Sequence, residues 1–181
     1  MIGETGLNTR IAAMIFGVSI LLLAGCGGPV AIQTRGISPL NPGDNGSAPV
    51  KVRFYELKRD EKFKAATVES LWIDDKKVLG EDRVKDPVTA DIEPGNKRDA
   101  PTKVDLGELN DSTKFIGVLA LYRKAEAKDN RTLVIPVAEV EKVLLEFTGF
   151  TVAIAKDDDA DKPKSSPPAN SSNQSGSGPR K

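Results

Sequence analysis

The hydrophobic pattern changes character several times along the chain. Residues 11–24 form an uncharged apolar run behind Arg10. A helix crossing a hydrocarbon core of ~30 Å needs roughly 20 apolar residues, so this run has the length of a signal-peptide core rather than a span. Period-two alternation follows, weakly over 30–35 and cleanly over 50–54, where Val50, Val52 and Phe54 share one face. The phase then shifts through Tyr55 and Leu57, which predicts either a bulge or a strand buried on both sides. Over 60–73 the period becomes helical. Phe63, Ala66, Thr67, Ser70 and Leu71 follow i, i+3, i+4, i+7, i+8, predicting one or two short helices with Asp60 as N-cap. Residues 74–80 predict a further helical turn stopped by Gly80.

From Pro87 onward short strands return at close spacing, over 88–92, 102–106, 115–122, 132–137, 143–147 and 150–154. The nearly continuous apolar run 115–122 reads as a central strand, and Pro136 suits an edge or a bulge. Residues 139–143 are also compatible with a helix. About eight strands joined by Gly, Pro and Asn turns, with one short helical insertion, define a mainly β fold, a two-sheet β-sandwich. The connection between the first two strands, residues 38–49, carries three prolines and two glycines, which exclude a helix or a central strand there. Long, turn-rich connections of this kind often carry function.

After Lys156 the composition turns to Asp, Ser, Pro, Asn, Gln and Gly, with no apolar residue larger than Ala. Nothing there offsets the entropy of ordering, so 157–181 reads as a disordered tail. Asp157, Asp159 and Asp161 do not open a calcium loop, because Lys162 and Pro168 occupy the positions that need Gly and a carboxylate. Removing the tail and the signal (1–25) leaves a four-residue tether (26–29) and one sandwich domain (30–156).

Composition narrows the chemistry. There is no histidine and one cysteine, so a Ser-His-Asp triad, a Cys-His pair and a Cys-based zinc site are all excluded. Neighbouring acids such as Asp74-Asp75 and Glu81-Asp82 suit solvated turns better than the two sides of a catalytic cleft, and no phosphate-binding loop is present. The chain reads as a non-enzyme without metal or cofactor. With 26 basic and 26 acidic residues, no global field draws it to nucleic acid.

The single cysteine has a telling position. Leu23-Ala24-Gly25-Cys26 resembles the bacterial lipobox: small residues precede a thiol that takes diacylglycerol before cleavage. Cys26 is therefore the expected acylated first residue of the mature chain, and its covalent lipid the only attached group. In such lipoproteins Asp after the cysteine commonly retains the protein in the inner membrane. Here the residue is Gly27, so the resemblance implies the outer membrane, with the domain facing the periplasm.

The ordered set of motifs resembles the TssJ family, the outer-membrane lipoproteins of the type VI secretion system. It comprises the lipobox, Leu40-Asn41-Pro42 before a Gly/Asp turn, the strand 50–58 closing on Tyr55-Glu56-Leu57, and the helical stretch 63–72. Val78-Leu79-Gly80, Ile92-Glu93-Pro94-Gly95 and the strand 115–123, Phe-Ile-Gly-Val-Leu-Ala-Leu-Tyr-Arg, complete it. The likeness spans roughly residues 23 to 155. It departs from the family at Phe115, where Tyr is common, and in its long tail.

The resemblance implies a transthyretin-like sandwich that binds the periplasmic C-terminal domain of TssM and, with TssL, completes an envelope-spanning complex. It also implies a partner site on the first inter-strand loop: Leu40, Asn41, Pro42, Gly43, Asp44, Asn45, Gly46 and Ser47. The alternative is a periplasmic ligand- or glycan-binding lipoprotein on the same fold. That module needs clustered aromatics on a concave face, whereas Tyr55, Trp72 and Tyr122 are dispersed along the sequence.

Overall fold

The computed structural model describes residues 28–126 and 129–155. The signal segment, Cys26 and the 157–181 tail lie outside the described residues. The strands are β1 (Val30–Leu40), β2 (Val50–Leu57), β3 (Val88–Ile92), β4 (Thr102–Gly107), β5 (Phe115–Leu121), β6 (Thr132–Pro136), β7 (Leu144–Gly149) and β8 (Thr151–Ile154). They build two four-stranded sheets, ordered β4-β1-β7-β8 and β3-β2-β5-β6. All neighbours are antiparallel except β1 and β7, which run parallel. The mainly β, two-sheet sandwich is as the alternation predicted. β5 lies inside its sheet and β6, ending in Pro136, lies at the edge.

Strand β2 explains the architecture. Its even residues Val50, Val52 and Phe54 meet Ile116, Val118 and Ala120 of β5 and Ile32, Leu145 and Phe147 of the other sheet in the main core. Tyr55, Leu57 and Leu119 point the opposite way, into a second core roofed by Phe63, Val68, Leu71 and Leu79. Pairing of β2 with both neighbours runs without a register break. The phase shift at Tyr55 therefore marks a strand buried on both faces, not a bulge. Burying one such large side chain contributes about 1.5–3 kcal/mol. Gly117 lets the roof approach, since a Cβ there would sit 2.9 Å from both Leu57 and Phe63.

The roof is two helices, α1 (Glu61–Ala65) and α2 (Val68–Leu79). Asp60 makes no side-chain cap hydrogen bond; its carboxylate pairs with Lys64 one turn on. The capping residue is Thr67, whose hydroxyl accepts from the Ser70 N–H at 3.1 Å, so the helical period read through 63–71 covers a break. α2 kinks at Asp74, whose side chain accepts from the Lys77 N–H, and it ends at Gly80 with φ 55°. Residues 139–143 are not part of an α-helix: Val137–Lys142 is 3-10.

Asp82 fastens this insertion. Its buried carboxylate meets Arg59 Nε at 2.7 Å and Lys62 Nζ at 3.2 Å, and its carbonyl accepts from the Lys58 N–H. The hydrogen bond from Arg59 holds its carboxyl below the usual range. A depressed folded pKa contributes stability above the unfolded value of about 4 and loses it as pH falls through the folded value. The denaturation midpoint of the wild type is expected to fall more steeply below about pH 4 than that of Asp82→Asn. Parallel pH profiles would show that the pair contributes nothing, as many exposed pairs do.

The strand directions give the domain two poles. Val30 lies opposite Gly107, and the Ala155 N–H donates to the Leu144 carbonyl, so both ends of the domain leave at one pole. Buried Glu56 steadies that pole, accepting from Thr113 Oγ1 at 2.7 Å and from the Asn110 N–H. β1 carries the chain away from it over 11 residues, roughly 35 Å at strand rise.

Candidate partner-binding loop

The loop predicted over 38–49 begins later than its prolines suggest. β1 continues through Ser38 and Pro39 to Leu40, and its register against β7 shifts between Ile37 and Leu40. Pro39 is tolerated in this internal strand because it stands within that shift, exposed, with no ladder donor required of it.

The segment Leu40–Ser47 is not uniformly exposed. Leu40 is fully buried and Asn41 nearly so; Pro42 and Gly43 are half-buried; Asp44, Asn45, Gly46 and Ser47 are exposed. Leu40 closes the base: its carbonyl accepts from the Ala48 N–H at 2.9 Å, and its N–H donates to Ser47 Oγ at 3.3 Å. Above it, Gly43 and Gly46 exchange two backbone hydrogen bonds, of 2.9 and 3.0 Å. Asp44 and Asn45 are thus the tip of a tight turn, which Gly46 completes at φ 89°. The loop is stiffened by its own hydrogen bonds as well as by its prolines.

Asn41 is the pivot. It adopts φ 45°, a left-handed conformation that Asn tolerates better than most residues. Its N–H donates to the Gly149 carbonyl at 2.7 Å, its Nδ2 donates to the Pro49 carbonyl at 2.8 Å, and its Oδ1 accepts from the Arg123 N–H at 2.9 Å. One residue thereby ties the loop to the start of β2, the end of β5 and the β7–β8 turn. Arg123 and Lys124 flank the loop. The Arg123 guanidinium lies over Gly43, where a Cβ would come within 3.3 Å of Nη1, and Lys124 Nζ stands 3.7 Å from Asp44. Sequence reasoning had Arg123 only as the last residue of a resembling strand; its place beside the loop depends on the fold. The Tyr122 hydroxyl, pushed up by burial, donates to the Thr151 carbonyl at 2.6 Å and helps seat the same corner.

The aromatic residues are engaged in packing. Tyr55 meets Phe63 at 5.6 Å, Tyr122 meets Phe150 edge-on, and Arg53 stacks on Trp72 at 3.9 Å. A recess of about 280 Å³ between residues 66–69 and 129–132 is lined by no aromatic ring and crossed by the Glu69–Arg131 ion pair. Among the described residues no cluster of acids is arranged to hold a metal ion, and no helix is long and apolar enough to cross a membrane.

Comparison with known proteins agrees with this fold. No curated protein matches the chain. Among solved structures, TssJ1 of Pseudomonas aeruginosa, described as a type VI secretion lipoprotein, is 26% identical with a TM-score of 0.58, covering 71% of this chain and 95% of that one. A chain of a structure described as "Type VI membrane complex" is 25% identical with a TM-score of 0.61, covering 71% and 98%. A third, in a structure described as the TssM C-terminal domain from EAEC, shares the fold at 24% identity with a TM-score of 0.58, covering 71% and 98%. The family model for "Type VI secretion lipoprotein, VasD, EvfM, TssJ" matches residues 29–156. The two-sheet sandwich, its helical roof and this match together establish that the chain belongs to the type VI secretion lipoprotein family, TssJ/VasD.

Proposed function

We propose that this protein is the lipoprotein that ties the type VI secretion membrane complex to the outer membrane. It is acylated at Cys26 and binds the periplasmic C-terminal domain of TssM, which with TssL spans the rest of the envelope. The observation that carries the reading is the hydrogen-bonded loop, whose exposed tip Asp44–Ser47 stands at the pole opposite the chain ends. A loop already ordered loses less entropy on binding. Three residues, 27–29, separate Cys26 from β1 and reach about 10 Å, so the anchored pole rests close to the lipid and the loop faces the periplasm. Such tethering raises the effective concentration of the contact once one copy is engaged. Leu40 and Asn41 support the loop from within, while Pro42 to Ser47 form the surface. The function is mechanical, with no covalent step in the domain. A solved structure sharing this fold is described by the TssM C-terminal domain, which favours TssM as the partner.

Calorimetry of a soluble, unlipidated form covering 29–156 with the cognate TssM domain tests the reading. Both cores lie inside those residues. Binding at micromolar affinity or tighter is expected, and its loss when Asp44–Ser47 is replaced by a Gly-Ser turn. Leu40 and Asn41 are left in place because their removal would damage the fold. An intact, folded domain that does not bind would overturn the proposal.

A further inference from the structure

The loop tip is not the whole of the surface at its pole. Arg123 follows β5 on a different connection, yet its backbone is fixed to the loop through Asn41, and its guanidinium lies against Gly43. Arg123 is exposed. Among the described residues no carboxylate pairs with its side chain, whereas arginines elsewhere on the domain are engaged: Arg53 on Trp72, Arg83 with Asp75 and Asp86, Arg131 with Glu69. Lys124 beside it faces Asp44 at 3.7 Å, both ends exposed, a contact too open to neutralise either group firmly. The two cations outnumber the one acid at the foot of the loop.

We infer that Arg123 is a second, electrostatic element of the partner-binding surface, and that the partner presents a carboxylate, Asp or Glu, to it. This rests on the proposed binding at the loop and deepens it. A guanidinium presents a planar fork of donors matched to a carboxylate, forming charge-assisted hydrogen bonds about twice as strong as neutral ones. The Asn41–Arg123 hydrogen bond sets where the side chain starts, and Gly43, lacking a Cβ, leaves room for it to lie beside the tip. The loop supplies shape, and Arg123 supplies charge and steers the encounter.

The test is calorimetric titration of the 29–156 domain with the TssM periplasmic domain at low and high salt, using wild type, Arg123→Ala, Arg123→Glu and Lys142→Glu. Lys142 is exposed in the 3-10 turn before β7, at the anchored pole. Arg123→Glu is expected to weaken binding about tenfold or more and to flatten its salt dependence. Arg123→Ala should act in the same direction by less, and Lys142→Glu should leave binding unchanged. Because the Arg123 side chain makes no hydrogen bond among the described residues, melting temperatures should stay with the wild type. Wild-type binding with an unchanged affinity and salt slope in Arg123→Glu would overturn the inference and leave the loop reading intact. Absence of wild-type binding would overturn the loop reading, and the inference with it.

Discussion

Gly36→Ala is expected to be the most damaging single-methyl change in the domain. Gly36 sits in β1 opposite Phe147 of β7, and a Cβ there would overlap the Glu93 carbonyl oxygen and press on Leu40. Glu93-Pro94-Gly95 is the turn by which the chain leaves β3 and crosses toward the other sheet. It is laced to β1 by two backbone hydrogen bonds, Gly95 N–H to the Gly36 carbonyl at 3.1 Å and Ser38 N–H to the Gly95 carbonyl at 2.9 Å. The nearest obstacle is the Glu93 backbone, so no rotamer change relieves it. Either the turn lifts and both hydrogen bonds break, or β1 moves and its ladder to β7 suffers. Overpacking costs about 1–3 kcal/mol, and each buried group left without a partner costs a further ~1–3 kcal/mol. A loss of about 3–5 kcal/mol follows, a large part of a typical stability of 5–15 kcal/mol. Urea denaturation measures it directly. A change within about 0.5 kcal/mol, ordinary for a surface site, would show that the strap is free to shift.

Asn41→Ala is expected to cost nearly as much and to weaken partner binding as well. The substitution leaves the Arg123 N–H and the Pro49 carbonyl without their present partners, at ~1–3 kcal/mol each if they stay buried. It also places a Cβ-bearing residue without a compensating side-chain bond at φ 45°, which costs roughly 1–2 kcal/mol. A total near 3 kcal/mol is expected from denaturation. Asn41→Gly separates the two contributions, since it accepts the backbone angle and drops both side-chain hydrogen bonds; its stability should fall between wild type and Ala. Calorimetry at a temperature where all three remain folded should show TssM affinity falling in the same order. Unchanged affinity in a destabilised Asn41→Ala domain would mean that the tip is ordered without its pivot.

Much of the fold was legible because its physics is local. Alternation over 50–54 and the nearly continuous apolar run over 115–122 mark strands, since successive side chains alternate across the sheet and a strand covered on both faces is apolar throughout. The helical roof was legible from its period as one or two short helices, but the place of the break was not. Thr67 lies on the same apolar period as Phe63 and Leu71, and only the turn between the helices makes it a cap. The extent of β1 was misread at Pro39 because a proline argues against an internal strand unless the register shifts beside it, and a shift depends on the partner strand.

The loop was visible as a loop, from its prolines and glycines, and the resemblance of the flanking motifs pointed to its use. Its internal division was not visible. Leu40 and Asn41 are adjacent in sequence to the exposed tip, yet they belong to the interior because β7 and the end of β5 lie over them. Nothing within the neighbouring residues encodes that cover.

The order of apolar and polar residues by itself determined the strands, the helical insertion, the two-sheet class and the presence of a stiff connection after the first strand. These follow from backbone sterics and hydrophobic periodicity, which act over a few residues at a time. Tertiary structure alone decided that β1 pairs in parallel with β7, that the Glu93–Gly95 turn rests on Gly36, and that Asn41 binds Arg123. These contacts join segments roughly 50 to 110 residues apart, and their geometry exists only once both sheets have packed around the shared core.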